Sequence, residues 1–168
     1  QAEHSSDTFC YLITNSEKTA KLVNEIISKL LPTIQRSELV KSSLSKNGFI
    51  AVCRNSSDMV NLANSLAPEH LQIMTKNPKL ISSKITTAGL VLLGDYSPSS
   101  ASDYILGSNH ILPTNGFGKI RGSLSVMDFI KINTEVTASK LSLSKISKHL
   151  DTLTTSEGLP NHYEAVRG

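Results

Sequence analysis

Thirteen consecutive residues, Ser102-Asp103-Tyr104-Ile105-Leu106-Gly107-Ser108-Asn109-His110-Ile111-Leu112-Pro113-Thr114, bring together a carboxylate, an imidazole, a carboxamide, a glycine and a proline. A stable core has no use for that density of polar groups, whereas a site for a polar ligand or a metal does. A second cluster, Ala67-Pro68-Glu69-His70, sets an acid directly beside a base between apolar neighbours Leu66 and Leu71. An imidazole changes charge near neutral pH and an adjacent carboxylate can take or return a proton, so Glu69 and His70 suit general acid–base work. The same dipeptide also suits a solvated loop whose histidine caps the preceding helix.

Metal chemistry has its own candidates. Gln1 and His4 are three residues apart and share a face if their segment is helical. An imidazole is a common metal ligand and a carboxamide oxygen a weaker one. Asp103 is a harder oxygen ligand, and His162, in Glu157-Gly158-Leu159-Pro160-Asn161-His162, is a second imidazole. His149 lies in a Lys- and Ser-rich helical stretch and reads as a surface residue. Gly116-Phe117-Gly118-Lys119-Ile120-Arg121-Gly122 is glycine-rich but spaced GxGxxxG, with no strand leading into it and no helix at its third glycine. It therefore reads as a mobile or ligand-covering loop without a nucleotide role.

The elements that must position these groups alternate. Phe9–Thr14 is an apolar, β-branched run that predicts a buried strand. Asn15 or Ser16 then opens a helix whose apolar residues Leu22, Val23, Ile26, Ile27, Leu30 and Leu31 recur at helical spacing until Pro32. A second helix is predicted from about Ser37 to Lys46, closed by Asn47-Gly48. Phe49–Cys53 is the next strand, and Ser56 or Ser57 opens a helix through Leu66. Leu71–Met74 and Ala88–Gly94 are two more short strands. Apolar runs alternating with helices predict an α/β domain with a mainly parallel sheet covered by helices on both faces. Residues 95–122 read as one long functional loop. A helix from about Ser139 to Ser156, apolar along one side, and a helical turn over Leu159–Val166 form a C-terminal appendage. The expected division is an α/β domain over residues 1–135 and a helical tail over 136–168.

Composition excludes several classes. Hydrophobic residues make up 39% and charged residues 18%, which rules out a disordered or membrane-spanning chain. A net charge of +3 with scattered lysines argues against a nucleic-acid partner, which needs a focused basic patch. Cys10 and Cys53 match neither a CxxC nor a zinc-finger spacing and read as free thiols in a reducing compartment. No initiator methionine precedes Gln1, so the chain reads as a piece of something longer.

In order, Gln1-Ala2-Glu3-His4, Ala67-Pro68-Glu69-His70-Leu71, Ala88-Gly89 through Leu93-Gly94, Asp103-Tyr104 through Gly107-Ser108-Asn109-His110-Ile111-Leu112-Pro113-Thr114, Ser123-Leu124-Ser125-Val126-Met127-Asp128-Phe129, and Glu157-Gly158-Leu159 with His162 resemble the histidinol dehydrogenases. The resemblance spans essentially the whole chain but only the C-terminal part of the family's length. It implies an incomplete Rossmann-like fold and the oxidation of L-histidinol, via L-histidinaldehyde, to L-histidine with two NAD. It implies a zinc ion held by Gln1, His4, Asp103 and His162, which orients the substrate more than it activates water. His70 would take the hydroxyl proton as hydride leaves, and Glu69 would activate the water that hydrates the aldehyde. His110 and Glu157 would hold the substrate, whose nitrogens would also meet the residues around the metal: Gln1, His4, His70, Asp103 and His162. The cofactor-binding residues would lie in the N-terminal half, so the isolated segment is expected to be inactive. The resemblance further implies a cytoplasmic homodimer whose C-terminal tail crosses to the other subunit. Arg121 departs from it, standing where a small or neutral residue is expected. Two other readings use the same polar groups: a zinc hydrolase with Glu69 as base, and a non-catalytic module that binds a small ligand.

Overall fold

The computed structural model describes residues 1–167 and divides the chain into two compact units, the first from Gln1 to Asp128 and the second from Phe129 onward. In the first unit, strand β1 (Tyr11–Thr14) runs into helix α1 (Glu17–Leu30), whose first turn is capped by Ser16 Oγ accepting from the Thr19 N–H at 3.2 Å. Pro32 sits in a 3-10 turn that ends the helix. Helix α2 (Ser37–Asn47) then leads to strand β2 (Phe49–Val52). The helix-ending role of Gly48 is a matter of space, not of left-handed backbone: its φ is −89°, and a Cβ there would stand 2.6 Å from the Leu44 carbonyl oxygen.

β1 and β2 pair in parallel, Tyr11 opposite Phe49 and Thr14 opposite Val52, with the Tyr11 and Phe49 rings stacked at 4.2 Å between centroids. Helix α3 (Ser56–Leu66) follows, and its cap is Asn55 instead of the serines after it. Asn55 Oδ1 accepts from the Asp58 N–H at 2.9 Å, as a carboxamide at the N-cap does well. Strand β3 (His70–Ile73), helix α4 (Pro78–Ser82), strand β4 (Leu90–Leu93) and helix α5 (Ser99–Ser102) complete the regular elements of this unit. β3 pairs in parallel with β4, His70 opposite Leu90. The second unit is helical: α6 (Lys140–Ser156) and α7 (Pro160–Glu164), joined by a turn in which Gly158 has φ 71°.

The parallel α/β architecture and the helical C-terminus are those the sequence implies. The sheet differs: four strands form two separate two-stranded pairs, not one continuous sheet. Pairs this narrow cannot cover the helices beside them. The buried apolar core of the first unit comes down to Val40, Val60, Ala63, Ala67, Ile73 and Leu92. Helix α1 buries no residue, and Leu22, Ile26 and Leu30 on its apolar stripe remain 42–52% exposed. Helices α4 and α5, of five and four residues, went unmarked in the sequence because neither spans enough turns to show a period. No helix is long and apolar enough to cross a membrane among the described residues.

Candidate functional site

Ala67-Pro68-Glu69-His70 is fixed by the backbone on both sides. Ala67, 2% exposed, ends α3 in the left-handed region at φ 46°, its N–H donating to the Ala63 carbonyl at 3.1 Å. A residue with a Cβ adopts that conformation at a cost of about 1–2 kcal/mol, so the surrounding packing must hold it there. The chain then meets the start of β4: the Gly89 N–H donates to the Pro68 carbonyl at 2.9 Å and the Leu90 N–H to the Glu69 carbonyl at 2.8 Å. These bonds carry the ladder upstream, so His70 is the first residue of the strand and not part of the loop before it.

Glycine at position 89 is what lets this happen. A Cβ there would stand 2.8 Å from the Glu69 carbonyl oxygen and 2.9 Å from the ring of Pro113. Gly118 is equally confined, since a Cβ on it would meet the Thr87 carbonyl and the Gly89 nitrogen. Pro113 and Gly118 are buried, so the segments after Asn109 and around residue 118 close over the head of β4. Asn64 of α3 holds the approach to that strand, donating to the Lys84 carbonyl and accepting from the Thr86 N–H, both at 2.9 Å.

Against this strand head sits Asp103. Its Oδ1 lies 3.0 Å from His70 Nε2, with the two side chains 14% and 11% exposed, and Glu69 Oε1 lies 3.8 Å from His70 Nδ1. The first is a hydrogen bond; the second is a near approach that is too long for one. An ionised Asp103 can only accept, so the proton of a neutral His70 sits on Nε2, leaving the Nδ1 lone pair on the side of Glu69. That arrangement orients the imidazole and leaves it one nitrogen able to take a proton. Asp103 is itself placed by Ser102, which is fully buried and donates its Oγ to the Ser99 carbonyl at 2.7 Å. Ser108 Oγ then donates to the Ser102 carbonyl at 2.7 Å, tying the following segment back to α5.

The other sequence candidates are exposed. Gln1 and His4 share a turn, the His4 N–H donating to the Gln1 carbonyl at 3.1 Å, and both side chains are exposed. Their segment is anchored downstream, where Ser43 Oγ donates to the Thr8 carbonyl at 2.8 Å and Asn47 Nδ2 to the Ser6 carbonyl at 2.9 Å. His110 is exposed. Glu157, the residue that ends α6, and His162 in α7 are exposed residues of the second unit. Among the described residues, no group of three or more His, Cys, Asp or Glu gathers into a metal-holding cluster. A nitrogen, a carboxylate and a carboxamide suit zinc chemically.

Beyond the cluster, Ile111, Leu112, Pro113, Thr114, Phe117 and Arg121 line an open groove of about 310 Å³. Arg121 Nη2 donates to Asp128 Oδ1 at 2.9 Å, and the Ser125 N–H donates to Asp128 Oδ2 at 2.7 Å. The backbone bond from Ser125, together with the Arg121 charge, holds the Asp128 carboxyl below its ordinary value. Burial raises the Cys10 thiol and, next to it at the start of β1, the Tyr11 hydroxyl. Sequence reasoning gave no role to Asn64, and it took Ser102 and Gly118 only as members of a polar stretch and a glycine-rich loop. Asn64 and Gly118 matter through contacts to backbone distant in sequence, which leave no local pattern, and Ser102 through the Ser99 carbonyl within its own turn.

The fold and the cluster define an α/β protein with an imidazole–carboxylate pair at the head of a parallel strand. The family model for histidinol dehydrogenase matches residues 1–168. Histidinol dehydrogenase of Oceanobacillus iheyensis is 38% identical over 167 residues, and that of Methanopyrus kandleri 39% identical over 168. In each case 99% of this chain is covered and 39% of the relative. The crystal structure of histidinol dehydrogenase from Elizabethkingia anophelis superposes with a TM-score of 0.86 at 31% identity, over 99% of this chain and 38% of that one. The chain belongs to the histidinol dehydrogenase family, and it spans about two fifths of the length of the relatives it matches.

Proposed function

We propose that the protein carrying this segment is an oxidoreductase that converts L-histidinol, by way of L-histidinaldehyde, to L-histidine, with NAD taking a hydride in each of two steps. Family membership supports the reaction, and the observation that carries the residue roles is the Glu69–His70–Asp103 cluster. NAD, when bound, would supply the hydride acceptor; His70, whose Nδ1 is the open nitrogen, takes the substrate's hydroxyl proton as the C–H bond breaks in the first step. Asp103, bonded to Nε2, stabilises the imidazolium that results. Water then adds to the aldehyde, with Glu69 taking its proton, and His70, having released the first proton, takes the hydrate's hydroxyl proton as the second C–H bond breaks. His110 and Glu157 hold the substrate outside the reacting bond.

Gln1, His4, Asp103 and His162 have the donor chemistry to hold zinc, which when bound would orient the substrate. As the family resemblance implies, His162 and Glu157 are assigned to the site of a second copy, in a cytoplasmic homodimer. Residues 1–135 then carry most of the substrate and zinc site, and residues 136–168 form the exchanged tail. The NAD contacts are assigned to the part of the protein outside this segment.

The test is made on the full-length enzyme. His70→Asn is expected to lower histidinol-dependent NADH formation by about 10²–10⁴-fold, the usual contribution of a general base. Glu69→Gln is expected to leave the first NADH and stall at the aldehyde. A turnover of histidinol that needs no NAD, or one untouched by both replacements, would overturn this reading.

A further inference from the structure

Asn109 directly precedes His110, and the reaction gives its carboxamide nothing to do. Its side chain is nevertheless fully employed. Nδ2 donates to the Leu124 carbonyl at 2.9 Å, and Oδ1 accepts from the Ile111 N–H at 3.0 Å. The Leu124 N–H in turn donates to the Ile111 carbonyl at 3.0 Å. Three hydrogen bonds therefore close around His110, from the residue before it, the residue after it and a strand-like crossing at Leu124. The imidazole of His110 is exposed and forms no hydrogen bond among the described residues.

We propose that Asn109 is a positioning residue for His110. The clamp fixes the backbone on either side of the histidine while leaving its ring free for a ligand. Its outer anchors matter as much. Ser108 is tied to Ser102, next to Asp103, and Pro113 packs on Gly89, whose neighbour Leu90 is bonded to the Glu69 carbonyl. The three polar groups His110, Asp103 and Glu69 are thus referred to one frame, 108–113, and Asn109 is the side chain that locks the middle of it. A ring held this way does not have to be ordered when a ligand arrives, so the clamp acts on binding more than on bond breaking. The inference rests on the reading of His110 as a substrate contact.

Four variants of the full-length enzyme test it: Asn109→Ala, Asn109→Asp, His110→Ala and the Asn109→Ala/His110→Ala double replacement. Asn109→Ala is expected to raise KM for histidinol ~10-fold with little change in kcat, the size that follows from losing one or two neutral hydrogen bonds. Asn109→Asp keeps the bond from the Ile111 N–H but sets a carboxylate oxygen against the Leu124 carbonyl, so its rise in KM is at least as large. In the His110→Ala background, Asn109→Ala adds no further rise, because residues acting as a unit are not additive. An unchanged KM in both Asn109 variants, with His110→Ala still raising it, overturns the inference alone. An equal additional rise in the His110→Ala background shows that Asn109 acts on something else and also overturns it. A His110→Ala variant with unaltered KM removes the reading beneath it, and the inference falls with that reading.

Discussion

Glu69, His70 and Asp103 are held by the fold; Gln1, His4, Glu157 and His162 are only displayed by it. The first three sit at a strand head where every approach is constrained: a left-handed alanine behind, a glycine with no room for a Cβ beside, a buried serine under Asp103. The other four are exposed on a terminal turn or on the second unit, with no side-chain hydrogen bond among the described residues to aim them. Positioning to within a fraction of an ångström is what acid–base chemistry requires. The chain fixes the His70 imidazole against Asp103 and the Glu69 backbone against β4, while Gln1, His4, Glu157 and His162 have no such hold among the described residues.

If the contrast is real, damage to the strand head should spread further than damage elsewhere. The largest effect is expected from Gly89→Ala. Its Cβ would press on the Glu69 carbonyl and on Pro113, and overpacking of this kind costs about 1–3 kcal/mol. Thermal denaturation should show the loss of stability, and in the full-length enzyme turnover should fall with it. The same replacement at Gly107, where a Cβ would meet nothing within 4 Å, meets only the penalty of its φ of 80°, and turnover should survive. Ser102→Ala comes next. It strips the Ser99 carbonyl of its buried donor at a cost of about 1 kcal/mol, measurable by urea denaturation, and should lower kcat by loosening Asp103.

The smallest effect concerns pH. Asp128 is fully charged in the folded chain at a pH where an unfolded one begins to protonate, since its carboxyl lies below the ordinary 3.8. The stability it lends the 121–128 segment is therefore complete above that value and lost as pH falls beneath it. Amide exchange at Ser125 should stay constant from about pH 7 to 5, after allowing for intrinsic rates, and lose protection only below the ordinary carboxylate range. Protection that fades already near neutrality would mean that another group controls this segment.

How much of this could be seen in the sequence depends on the distance over which each feature is decided. β1, α1, α2, β2 and α3 are local facts, written in apolar runs, caps and Pro32, and the chain follows them closely. That α1 would leave its stripe of Leu22, Ile26 and Leu30 uncovered is not local, because it depends on strands that pair two by two. Glu69 and His70 were legible as a pair because they are adjacent. The bond from His70 to Asp103 bridges 33 residues and was not, although both residues were named on separate grounds. Gly89 reads from the sequence as part of a strand and Gly118 as part of a mobile or ligand-covering loop; only the backbone they touch reveals why they are glycines.

The sharpest measurement is subunit complementation in the full-length enzyme. His70→Asn and His162→Ala variants, each inactive alone, are mixed under conditions that exchange subunits. If His70 serves its own site and His162 the neighbour's, mixed dimers carry one intact site. Random exchange should then restore about a quarter of wild-type turnover, since half the dimers are mixed and each has one working site of two. Mixtures that remain as inactive as their parents would place both histidines in the site of a single chain, and would contradict the division between what this chain builds and what it lends.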